Sequence, residues 1–401
     1  MNNNKNLGAI RLVLHRIVKD KDHYIVEQLL TGEFFEMPQP AVEAMEALVK
    51  GIPPEQIELE LINKYPDEEI NMMDFLTQLG EMGFLVKDDQ DSLFAGSEFD
   101  LDIEASITTH SIIGRFLFSK QVIPVYAILV CVNILFFFSR PDLFPQPRDL
   151  FPFELMMLNI IVSLVVSVTL LAIHESGHVI AARTYGLTTS IRLGHRLFLP
   201  VIETQMPTIW RLPRGRRNIP LLAGLFMDHT LLFISISILV FVPSLSEIIT
   251  GILGMIVLQL VMMSLYQCMV FMKTDLYYLL QNVSGSYNLL ENAEGWLKEK
   301  LPFIRRENTT VIYDKERNIV RGYAMFYMFG LFASGTVFVF YVIPQLTYSF
   351  AISFDRLINP YSTSMKVDAI LFFAQFAVFA GLLTYSWGKK YARSETNANK
   401  T

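Results

Sequence analysis

His174 and His178 stand four residues apart, with Glu175 beside the first, in the run His174-Glu175-Ser176-Gly177-His178. On an α-helix, residues at i and i+4 lie one turn apart on the same face. Two imidazoles at that spacing can bind one metal ion while the carboxylate between them reaches a bound water. This is the chemistry of zinc-assisted hydrolysis: the ion activates water and polarises a carbonyl, and Glu175 moves the proton. The run follows a long apolar stretch, where ionisable side chains cost on the order of a few kcal/mol each unless they have a use. The plainer reading of the same residues is a helix end with its polar groups turned to the cytoplasm.

A catalytic zinc takes a third protein ligand and keeps one position open. Asp275 is the leading candidate, because it closes the fourth apolar run in Phe271-Met272-Lys273-Thr274-Asp275 and falls at the same membrane side and depth as the histidines. The alternative for it is a helix-end charge paired with Lys273. Asp228 and His229 lie inside the third apolar run, where ionisable groups point to function. They orient substrate or water, or either replaces Asp275 as ligand. His195 ranks below them as a solvated loop histidine. Cys131 and Cys268 sit in apolar runs without neighbours at metal-ligand spacing and read as packing residues.

The elements that must position these groups follow from composition. The 401 residues are 52% hydrophobic and 18% charged, which suits neither a soluble enzyme nor a bare membrane bundle and implies both parts in one chain. The expected fold class is therefore a polytopic α-helical membrane protein with a small N-terminal α+β, winged-helix-like cytoplasmic domain. Apolar runs long enough to cross a bilayer fall at 122–139, 153–179, 219–242, 247–272, 323–346 and 367–387. The first residues lack the apolar core and cleavage site of a signal peptide, so the N-terminus is expected in the cytoplasm. Loops 181–218 and 281–322 and the tail then carry most of the Lys and Arg between spans, as the positive-inside rule requires, and both termini are cytoplasmic. Segment 188–206 has partial β alternation and reads as a short hairpin or, equally, an ordinary loop.

Before the first span, 24–30 and 33–37 read as strands around Thr31-Gly32, and 41–50, 54–64 and 69–82 as helices. Residues 88–105 form an acidic linker. The expected division is a domain over 1–88, a linker over 89–120, a membrane core over 121–280, and a loop, two further spans and a basic tail over 281–401. Acidic side chains outnumber basic ones more than two to one over residues 1–118, which argues against nucleic acid as a partner.

With these residues in view, the chain resembles the site-2 protease family of intramembrane zinc metallopeptidases. That family carries HExxH on one membrane helix, an Asp ligand on a later one, and Ala-Gly-Pro-x-x-Asn between them. Here residues 174–178 match the first and Asp275 the second, while Ala223-Gly224-Leu225-Phe226-Met227-Asp228 departs from the third at Leu225 and Asp228. Leu276 also stands where the family's Asp is usually followed by Gly. Together with residues 20–88 the chain is similar to YydH-type peptide zinc metalloproteases, its N-terminal part being similar to PqqD-like peptide-recognition domains. The resemblance implies Zn2+ as cofactor, a membrane-embedded endopeptidase that cuts a ribosomally made, modified precursor, and a leader peptide bound by strand addition. It places a peptide-modifying enzyme or an exporter among the partners besides the lipid bilayer. The competing function is a non-catalytic membrane component for peptide export or immunity with a vestigial zinc site. A di-iron oxygenase needs more histidines than the chain positions.

Overall fold

In the computed structural model, residues 11–21, 23–86, 112–119, 121–153, 156–196, 199–300, 316–360 and 362–398 are described. The acidic linker expected over 88–105 lies outside them. The chain divides into two compact units, Met1–Ser106 with Thr208–Gly215, and Ile107–Pro207 with Arg216–Thr401.

In the first unit three antiparallel strands, β1 (His15–Asp20), β2 (His23–Gln28) and β3 (Glu33–Met37), lie in sequence order, with Val18 opposite Ile25 and Val26 opposite Phe35. Gly32, at φ +70°, makes the turn into β3. Three helices follow: α1 (Gln39–Val49), α2 (Pro54–Lys64) and α3 (Met72–Glu81). Prolines sit in the first turns of α1 and α2, where the missing N–H has no helical partner to lose. Asn71 caps α3 by accepting from the N–H groups of Met73 and Asp74, so this helix starts at Met72 and not at the expected residue 69. The sheet and helices close over Val26, Met37, Met45, Leu48, Ile57, Leu61, Met72, Leu79 and Phe84. Strand β1 was not foreseen; beyond its start, Leu12 bridges Leu85 and draws the end of the domain back to its beginning. The carboxylate of Glu27, 1% exposed, is held by Arg211 from segment Thr208–Gly215, with Arg16 at 3.9 Å.

The second unit is almost entirely helical: α4 (Ile112–Leu117), α5 (Ile123–Ser139), α6 (Met156–Thr184), then β4 (Ser190–Arg196) and β5 (Leu199–Gln205), α7 (Arg214–Phe241), α8 (Glu247–Gln267), α9 (Asp275–Ser284), α10 (Leu289–Lys300), α11 (Arg317–Val337), a π-helical turn (Phe338–Val342), α12 (Ile343–Ile358) and α13 (Thr363–Ala398). Among the described residues five helices are long and apolar enough to cross a membrane, within α6, α7, α8, α11 and α13, and α5 is a shorter apolar helix. The chain is thus of multi-pass membrane type. Large apolar side chains left exposed on these helices, such as Leu135, Phe138, Val165, Val168, Ile248 and Phe332, are those a lipid environment would cover.

Residues 190–205 form the hairpin, with Ile191 opposite Thr204 and Arg192 opposite Glu203. Two expectations are corrected. Helix α6 does not stop at 179 but runs on to Thr184, so the His174–His178 run lies inside the helix. Helix α8 does not reach 272: it ends at Gln267, and a 3-10 turn over Val270–Met272 and a left-handed Lys273 (φ 54°) separate it from α9.

Candidate metal centre

Helix α6 has 29 residues and is about 43 Å long at 1.5 Å per residue, longer than the roughly 30 Å hydrocarbon core of a bilayer. His174 falls about 27 Å from its start. Over this part of the helix, His174, Glu175, Gly177, His178, Ala181 and Ala182 are all buried, a stripe at helical spacing that faces α7. The approach is close because both surfaces are small. A Cβ on Gly177 would come within 2.7 Å of the Ala223 carbonyl oxygen and 2.8 Å of Met227. A Cβ on Gly224 would lie 2.5 Å from Nε2 of both His174 and His178. Gly224→Ala should therefore displace the rings and lower metal uptake well below one ion per chain. Gly215→Ala, at a position with nothing within 4 Å, should leave uptake unchanged; elemental analysis of the purified variants decides.

Each imidazole is oriented from behind. His174 Nδ1 lies 2.7 Å from Asp228 Oδ2, and His178 Nδ1 lies 2.8 Å from the Pro220 carbonyl oxygen. Both partners only accept, so each Nδ1 donates and each neutral ring presents an Nε2 lone pair on its other side. Those two Nε2 atoms are 3.3 Å apart, and Asp275 Oδ2 is 3.1 Å from each. Three acceptors converging in a place where both histidines are 3% exposed repel one another unless a cation sits among them. Ligands of one first-row ion at bonds of about 2.0–2.1 Å lie about 3.0–3.4 Å apart, and the observed separations fall in that range. His174, His178 and Asp275 thus form a group that could hold a metal ion.

Asp275 reaches this point because of the break after α8. It is the first residue of α9, where a negative charge also suits the helix dipole. Gln267, at the end of α8, grips it twice: the amide nitrogen donates to Asp275 Oδ2 at 3.1 Å, and the amide oxygen accepts from the Asp275 N–H at 3.0 Å. Thr274 Oγ1 donates to the Gln267 carbonyl at 2.8 Å and closes the loop. Lys273 does not pair with Asp275; its ammonium bonds Glu291.

Glu175, 7% exposed, accepts a hydrogen bond from Thr204 Oγ1 at 2.6 Å. Asp228 stands behind His174 as an outer partner, with its second oxygen, Oδ1, buried and unpaired among the described residues. Removing such a partner typically costs 10–100-fold in metal affinity. Asp228→Ala is accordingly expected to weaken metal binding by about that factor in competition with a chelating dye. His229 is not brought to the cluster: its backbone carbonyl accepts from Asn133 at 2.9 Å, and its Nδ1 is buried without a partner among the described residues. His195 lies in β4, opposite Pro200. Both cysteines are exposed and free.

Gln267 and Thr204 were missed by sequence reasoning. Gln267 left a trace as a polar residue at the end of an apolar run; Thr204 left none, being one of several Thr residues in a short β segment. Compared with family models, curated proteins and solved structures, the chain matches none of them.

Proposed function

We propose that the chain is a membrane-embedded zinc endopeptidase that hydrolyses a peptide bond in a ribosomally made precursor. The observation that carries this reading is the convergence of His174 Nε2, His178 Nε2 and Asp275 Oδ2 within 3.1–3.3 Å of one another, beside a buried Glu175. Zinc bound there would polarise the scissile carbonyl and lower the pKa of a water molecule. Glu175 takes the proton from the attacking water and passes it to the leaving amine. Asp228 and the Pro220 carbonyl keep the two rings in the tautomer that leaves Nε2 free.

Two histidines and a carboxylate also suit iron(II). The carboxylate at the second position of the motif, next to a ligand, is what a hydrolase needs and an oxygenase does not. Resemblance to the site-2 protease family supports the same choice. Protein purified in detergent is expected to carry one zinc per chain by elemental analysis; iron in its place, or no transition metal, would overturn the assignment.

The N-terminal unit fits peptide capture. Strand β3 pairs only with β2 among the described residues, leaving an edge to which a leader peptide can add as a further strand. The excess of acidic over basic side chains favours a basic peptide. A topology with both termini in the cytoplasm agrees with the Lys and Arg of the loops, and a peptide-modifying enzyme or an exporter is the partner such a precursor implies.

A further inference from the structure

The β4–β5 hairpin touches the candidate site through Thr204. Along β5 the side chains alternate: Glu203 and Gln205 share one side and bond each other at 3.1 Å, and Thr204 points to the other. Strand β5 packs against α6, and Thr204 Oγ1 lies 2.6 Å from Glu175 Oε2, within the range of a hydroxyl bound to an ionised carboxylate. A glutamate on a helix has three rotatable bonds, and its own helix does not fix where the carboxylate points. Threonine in a strand is stiff at χ1, and Ile191 of β4 is its cross-strand partner, so the strand sets the direction of the hydroxyl.

We propose that Thr204 is the positioning residue for Glu175: its hydroxyl holds the carboxylate in the orientation from which it serves the metal-facing water. The inference rests on reading Glu175 as the base of a metal hydrolase. It makes the hairpin part of the catalytic machinery, so a substrate that shifts β5 also shifts the base.

The test uses the full chain in detergent with cobalt(II) in place of zinc, and acetohydroxamate as probe, since a metal-bound hydroxamate needs an acceptor for its proton where Glu175 stands. The wild-type protein should show a cobalt d–d spectrum that acetohydroxamate perturbs. Thr204→Val should leave cobalt content and the resting spectrum unchanged and weaken acetohydroxamate about tenfold, as loss of a hydrogen bond to a charged group does. Thr204→Ser should restore affinity to within about twofold, because it keeps the hydroxyl. In a Glu175→Ala background, Thr204→Val should change nothing further. Thr204→Ala, smaller than the native side chain, carries the same expectation if valine disturbs the strand.

Wild-type affinity in Thr204→Val and Thr204→Ala, failure of serine to rescue, or an equal loss without Glu175 would each overturn the positioning role while leaving the metal hydrolase intact. A wild-type protein that takes up no cobalt would overturn the hydrolase reading itself, and the role of Thr204 with it.

Discussion

Glu175→Ala is expected to keep its metal and to lose cleavage by about 10²–10⁴-fold, the contribution of a positioned general base. The metal stays because Glu175 is not among the converging ligands: its carboxylate is bonded to Thr204, while His174, His178 and Asp275 face one another. The rate falls because, among the described residues, no other carboxylate stands in its place. Asp228 is turned to the far nitrogen of His174, and the Asp275 carboxylate faces both Nε2 atoms and accepts from Gln267. The measurement is mass spectrometry of the precursor peptide in cells making wild-type or variant protein, alongside zinc content of each purified protein. Processing by Glu175→Ala at the wild-type rate would end the endopeptidase reading, and intact precursor with normal zinc would sustain it.

The second large effect is expected at Asp275. Asp275→Ala should take zinc from one per chain to nearly none after dialysis, a greater loss than the about 10–100-fold expected for an outer partner such as Asp228. Two imidazoles 3.3 Å apart cannot alone complete the protein ligands of a catalytic zinc, which number three. The substitution also leaves the Gln267 amide without its carboxylate partner, so size-exclusion elution of the variant is compared with that of Gln267→Ala, which loosens the same loop while keeping the ligand. Full zinc in Asp275→Ala would remove Asp275 from the ligand set and return attention to other carboxylates near the histidines.

Much of the site was legible because it is local. The i, i+4 spacing of His174 and His178 fixes their common face once the segment is helical, and Asp275 is the acid that closes an apolar run at matching depth. The three N-terminal helices followed from a period of 3.6, whereas the partial alternation over 188–206 left a hairpin and an ordinary loop equally open. Strand β1 was not seen, since its residues, HRIVKD, carry little apolar alternation and depend on β2 for their pairing. The end of α8 was placed too far along because hydropathy continues past Gln267 through Val270-Phe271-Met272, whereas the break there comes from side-chain bonds around Gln267 and Thr274. Asp228 was noticed for its cost in an apolar run, but its charge could not say whether it faced the metal, a substrate or the back of a ring.

Sequence alone determined the pairing of His174 and His178 on one helical face, the place of Glu175 between them and the membrane character of the helix that carries them, since helical spacing and hydropathy act within one segment. Tertiary structure decided everything that depends on two segments meeting. It set Asp275 opposite both imidazoles, turned Asp228 to Nδ1 of His174, gave Glu175 to Thr204 and brought the backbone at Gly224 against the two rings. These partners lie 29 to 101 residues apart in the chain. No local periodicity encodes such a meeting; it depends on how closely α6 and α7 can pack and on where α8 breaks.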